Sequence, residues 1–214
     1  MKNNTTELVF ILDRSGSMAG FESDTIGGFN SILDKQKKTD GKCYVTTVLF
    51  SDHSKLLHDR VDISEVKPLT DDDYRVGGCT ALLDAVGKAI RHIAKIHKYA
   101  RPEDVPEKTL FVITTDGYEN ASRHFDADEV KRMVEHEKEK YGWEFIFLGA
   151  DIDAVETAGR IGIDRSRAAN YRKDEVGNAT MFCSVNEAIT MTRACAPLSD
   201  SWKADVDRDF EERK

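Results

Sequence analysis

Leu8-Val9-Phe10-Ile11-Leu12-Asp13-Arg14-Ser15-Gly16-Ser17 is the stretch on which the fold turns. Its first five residues are apolar without alternation. A strand of that kind needs cover on both faces, as in the middle of a parallel sheet flanked by helices. Asp13, Ser15 and Ser17 follow at alternate positions, in a turn directly after the strand. One carboxylate and two hydroxyls are oxygen ligands of the kind a hard divalent cation takes, Mg²⁺ in particular. No nucleophile is obvious beside them. The loop reads as half of a metal-holding site, and the rest of the chain has to supply the other half.

Strand-like and helix-like segments alternate along the remainder. Residues 22–37 place Ile26, Phe29, Ile32 and Leu33 at helical spacing, with Ser23 or Asp24 available as a cap. Tyr44–Phe50 is β-branched and aromatic, and the more polar Lys55–Ile63 pairs with it across a short turn. Residues 67–74 carry Pro68 and three consecutive aspartates and read as loop, punctuated by Gly77-Gly78. A helix from Ala81 to about His97 puts Leu82, Val86, Ala89, Ile90 and Ile93 on one face. Thr109–Thr115 and Trp143–Gly149 are further apolar strands. Between them Asp126-x-x-Glu129 resembles a capping box and opens a helix to about Lys140. A short helix near 153–160, a weaker strand at 167–171 and a last helix at 174–193 complete the pattern.

The fold class is therefore α/β: a mostly parallel sheet, covered on both faces, with Lys55–Ile63 as an antiparallel edge strand. One domain is expected over residues 1–195, followed by a polar, loose tail at 196–214.

Composition narrows the function classes. A chain of 214 residues, 40% hydrophobic and 33% charged, can bury the core of one large domain. No apolar run approaches the ~18 residues that would span a bilayer. A net charge of -8 argues against a nucleic-acid footprint, which needs a basic stripe. Residues 1–6 lead into the first strand with no apolar leader, and Cys43, Cys79, Cys183 and Cys195 form no C-x-x-C pair. Reduced thiols in a cytoplasmic protein are the expectation.

In open α/β sheets ligands sit outside the carboxyl ends of the strands, where the strand order reverses. Thr109–Thr115 ends at Asp116-Gly117, a second carboxylate in a turn. Gly77-Gly78-Cys79-Thr80, just ahead of the long helix, adds a hydroxyl at Thr80. If the two strands are neighbours, Asp13, Ser15, Ser17, Thr80 and Asp116 converge. With most direct ligands neutral, a bound cation keeps charge enough to attract an acidic side chain of a partner. That is a binding mechanism rather than a catalytic one.

This arrangement resembles the von Willebrand factor type A (vWA) domain and its metal-ion-dependent adhesion site. The family's D-x-S-x-S is Asp13-Arg14-Ser15-Gly16-Ser17 here, its loop threonine matches Thr80 in GGCTALLDA, and its distal aspartate matches Asp116 in ITTDG. The resemblance spans roughly residues 7–193, with the motifs in family order. It implies a Rossmann-like three-layer α/β/α sandwich, a bound Mg²⁺ (Mn²⁺ or Ca²⁺ as substitutes), and a protein partner whose Asp or Glu completes the coordination. It also implies a standalone intracellular bacterial-type member that is not an enzyme. Arg14, bulky and basic, would bias the mouth of the site toward acidic ligands.

Two other functions compete. In a metal-dependent phosphoester or nucleotide hydrolase, the same cation would polarise a phosphoryl oxygen and Asp151 would be the rim base. In a non-catalytic scaffold the metal would be structural. The first lacks supporting motifs, since neither G-x-x-x-x-G-K-[ST] nor G-x-S-x-G occurs. Helix capping is the expected role for one of Asp151 and Asp153. Tyr118, Glu119 and Asn120 read either as the site entrance or as solvated loop.

Overall fold

Every residue of the first strand, Thr5–Asp13 (β1), is buried, because β1 lies inside the sheet with helices on both sides. In the computed structural model, which describes residues 4–213, the other strands are Lys42–Phe50 (β2), Ser54–Asp62 (β3), Lys108–Thr115 (β4), Glu144–Gly149 (β5) and Ala168–Asn170 (β6). They form one six-stranded sheet in the order β3-β2-β1-β4-β5-β6. Only β3 runs antiparallel, hydrogen-bonded to β2 at the edge, and its residues are accordingly exposed or half-buried. The expected mixed sheet, parallel but for one edge, is the one observed.

The helices are Glu22–Gln36 (α1), Leu82–Tyr99 (α2), Ala127–Tyr141 (α3), Ala154–Arg160 (α4), Glu175–Arg193 (α5) and Ala204–Glu212 (α6). Side chains alternate across β1. Leu8, Phe10 and Leu12 face a core built with α1, α5 and α6, while Val9 and Ile11 face one built with α2, α3 and α4. The result is a Rossmann-like α/β/α sandwich.

Local signals explain most boundaries. Asp126 and Glu129 form the reciprocal capping box at α3, satisfying two otherwise orphaned backbone donors. Gly142, at φ +66, ends that helix in the left-handed conformation glycine adopts at no steric cost. At α1 the expectation fails: Phe21 is the N-cap residue and no side chain caps the helix, so Ser23 and Asp24 lie inside its first turn.

The C-terminal region also departs from expectation. Residues 200–203 form a 3₁₀ turn leading into α6, so Glu175–Arg193 is not the last helix and the region after Pro197 is not loose. Leu198, Trp202 and Val206 are buried in the same core as α1 and α5. The Trp202 indole N–H donates to the Ser166 carbonyl at 3.0 Å. Burial of this apolar stripe outweighs the polar composition around it.

Candidate metal centre

β1 and β4 are parallel neighbours, with Leu12 beside Thr114, so their C-terminal loops leave the same rim of the sheet. β2 flanks β1 on the other side. Chains leaving β1 and β4 therefore diverge, which opens a crevice at the carboxyl ends.

Asp13, the last residue of β1, is buried and fixed at both carboxylate oxygens. Oδ1 accepts the Ser15 backbone N–H at 2.7 Å, and Oδ2 accepts the Thr115 hydroxyl at 2.6 Å. The buried Tyr74 hydroxyl donates to the Asp13 carbonyl. Burial pushes the Asp13 carboxyl above its ordinary value; the Ser15 and Thr115 hydrogen bonds oppose the rise, and the nearby Asp116 charge adds to it. A group of that kind gains from a compensating positive charge.

The hydroxyl oxygens of Ser15 and Ser17 are 3.0 Å apart, and Ser17 donates to Asp116 Oδ1 at 2.6 Å. Thr80 is buried and clamped by Asn120. Its N–H donates to Asn120 Oδ1 at 2.9 Å, and its carbonyl accepts the Asn120 N–H at 3.0 Å. A Cβ added to Gly117 would lie 3.2 Å from Thr80 Oγ1 and 3.5 Å from Ser17 Oγ. Both hydroxyls thus border one small space that the glycine leaves open.

Backbone bonds tie the contributing loops together. Gly16 N–H donates to the Gly78 carbonyl at 3.0 Å, Gly77 N–H to that of Arg14 at 2.9 Å, and Ala81 N–H to that of Ser51 at 2.9 Å. Gly78 sits at φ +82, and a Cβ there would lie 2.2 Å from Asp52 Oδ2. Only glycine fits that position.

The structure brings together all the residues singled out in the sequence: Asp13, Ser15, Ser17, Thr80 and Asp116. Two carboxylates and three hydroxyls make an all-oxygen set, suited to a hard cation rather than a thiophilic one. Asp116 Oδ2 is buried and ion-paired with the Lys173 ammonium at 2.7 Å. An enclosed carboxylate oxygen aimed at cations and a cradle beside Gly117 fit a small divalent ion. Among the described residues no group of three or more His, Cys, Asp or Glu could hold a metal. A centre here would depend on the hydroxyls.

Other rim residues have different roles. Asp153 caps α4 by accepting the Glu156 N–H at 2.8 Å. Asp151 is at φ +53, with its side chain 68% exposed and 3.9 Å from Lys173. Glu119 is a brace, accepting the backbone N–H groups of Leu83, Ala121 and Ser122. Arg14 is half-buried with its Nε enclosed, less free at the mouth than the sequence suggests. Asn120, read from the sequence as site entrance or solvated loop, instead holds Thr80, while Lys173, Thr115 and Tyr74 have no counterpart in the sequence reading. Of these, only Thr115 carried a signal, as the hydroxyl preceding Asp116 on a strand adjoining β1.

No protein-family profile and no curated protein matches the chain. Solved structures do, and the fold neighbours are vWA domains. The vWF domain of the type V pili tip protein Mfa5 from Porphyromonas gingivalis matches with a TM-score of 0.61 at 11% identity, over 87% of this chain and 95% of that one. The ArnB paralog VWA2 from Sulfolobus acidocaldarius matches at 0.55 and 16%, over 88% of this chain and 45% of its own. Proximal thread matrix protein 1 from the mussel byssus, in a structure with a zinc-occupied MIDAS motif, matches at 0.58 and 16%, over 86% and 45%. The chain thus spans less than half the length of these last two. Identities this low carry the fold and not the function. No helix among the described residues is long and apolar enough to cross a membrane.

Proposed function

We propose that this protein is a metal-dependent protein-interaction module, in which Asp13, Ser15, Ser17, Thr80 and Asp116 hold one divalent cation, Mg²⁺ in preference to Mn²⁺ or Ca²⁺. When bound, the cation offers an open coordination position to a carboxylate, here an Asp or Glu of a protein partner. Asp13 and Asp116 supply charge, and the hydroxyls supply neutral oxygens that leave the centre electrophilic. The observation that carries the reading is the Ser15–Ser17–Asp116 chain of short contacts, at 3.0 and 2.6 Å, beside the buried Asp13. Thr115, Tyr74 and Asn120 orient the candidate ligands and take no direct part. Asp151, exposed and drawn toward Lys173, does not favour the hydrolase alternative.

Affinity capture from native lysate tests the reading, with wild type and Asp13→Ala as baits, in Mg²⁺ and in EDTA. The expected result is a protein retained by wild type in Mg²⁺, released by EDTA and not captured by Asp13→Ala. An identical captured set under every condition would refute metal-dependent binding.

A further inference from the structure

Lys173 lies in the segment between β6 and α5, and its ammonium reaches into the candidate centre. Nζ is 2.7 Å from Asp116 Oδ2 and donates to the Ser17 carbonyl at 2.5 Å. It also stands 5.2 Å from the centroid of the Phe21 ring. The Asp116 carboxylate is fully buried and the lysine side chain only 17% exposed, so solvent screens the pair weakly. The second acid within reach is Asp151, with Oδ2 at 3.9 Å and open to solvent.

We infer that Lys173 is a resident counter-ion that shares Asp116 with the metal and passes toward Asp151 when Asp116 turns to coordination. The inference rests on the metal reading above. Its physical basis is a charge count. Asp13 and Asp116 bring two negative charges to the crevice, and the ammonium cancels one of them. A divalent ion there would make the two carboxylates, the ammonium and the metal net positive while the ammonium stays beside Asp116; pairing with Asp151, whose Oδ2 is 3.9 Å from Nζ, removes that surplus. The consequence is weaker metal binding, because two cations draw on one carboxylate and repel each other. A four-carbon stem lets the ammonium swing without backbone movement, and Asp151 receives it at the rim.

Calorimetric titration of the full chain with MgCl₂ and MnCl₂ tests this, comparing wild type, Lys173→Met, Lys173→Gln, Asp151→Asn and the Asp151→Asn/Lys173→Met double variant. Removing the ammonium is expected to tighten metal binding about tenfold or more, the scale of one hydrogen-bonded charge. Asp151→Asn is expected to weaken binding in the wild-type background and to have little effect beside Lys173→Met, because Asp151 acts through the lysine. In EDTA, Lys173→Met and Lys173→Gln should melt below wild type, and saturating Mg²⁺ should raise their melting temperatures by more than wild type's. Equal or weaker metal binding by both lysine variants would overturn the counter-ion role while leaving the metal reading intact. The same loss from Asp151→Asn in both backgrounds would overturn the transfer to Asp151. No metal binding by any variant, wild type included, would overturn the metal reading and this inference with it.

Discussion

Asp13 is held from two sides before any ligand is considered, by the Ser15 N–H at Oδ1 and the Thr115 hydroxyl at Oδ2. A carboxylate so fixed is preorganised, and its rotamer is set by the strand next door. Thr115→Val keeps the β-branched shape and removes only the donor, leaving a buried anionic oxygen unpaired. The expected outcome is a stability loss of about 1.5–3 kcal/mol by urea unfolding, together with weaker Mg²⁺ binding by calorimetry. An unchanged unfolding midpoint would show that Oδ2 does not depend on Thr115. At this scale alternate spacing alone also suits a turn or helix cap; the candidate ligands were legible because Asp13-x-Ser15-x-Ser17, Thr80 and Asp116 follow a strand, a glycine loop and a second strand in order. Lys173 was not: a lone lysine in Arg172-Lys173-Asp174 reads as a solvated loop, and only the course of the chain after β6 turns it inward.

Among the elements, α2 depends on its first turn. Asp84 accepts the backbone N–H groups of Arg123, His124 and Phe125 at 3.3, 2.9 and 3.1 Å, binding the loop after Asp116 to the helix that begins beyond Thr80. Burial tends to raise the Asp84 carboxyl, but the bonds from His124 and Phe125 and the Lys88 charge outweigh it, and the net shift is downward. A depressed carboxyl stabilises the fold above its unfolded pKa of about 3.9, and that contribution disappears as pH falls through the lower folded value. Wild type should therefore exceed Asp84→Asn in stability at neutral pH, by about 1–3 kcal/mol. The gap should close in acid, below about pH 4. Chemical denaturation across that range checks it; a gap independent of pH would assign the effect to packing. The α3 capping box was readable from Asp126 and Glu129, because reciprocal bonding needs that spacing. The start of α1 was not, because no side chain marks it and tertiary packing sets it.

At the scale of the whole molecule, the sheet order places β1 between β2 and β4, and the site follows from that placement. The order was legible in part, since the hairpin fixed β3 beside β2, while the adjacency of β1 and β4 came from the fold resemblance rather than from any local signal. The C-terminal region was misjudged on composition. Leu198, Trp202, Val206 and Phe210 recur every fourth residue, a helical stripe diluted by acidic and basic neighbours. Leu198, Trp202 and Val206 of that stripe close the core beside α5, and Phe210 is half-buried under the Arg172 guanidinium. The central claim, that loops from β1, β4 and the start of α2 hold one hard cation, is tested most directly by anomalous diffraction from crystals soaked in MnCl₂. One Mn²⁺ peak bonded to the hydroxyls of Ser15 and Ser17 and lost in Asp13→Ala is the predicted result. A map with no manganese among these residues, or with a peak that Asp13→Ala leaves in place, would contradict it.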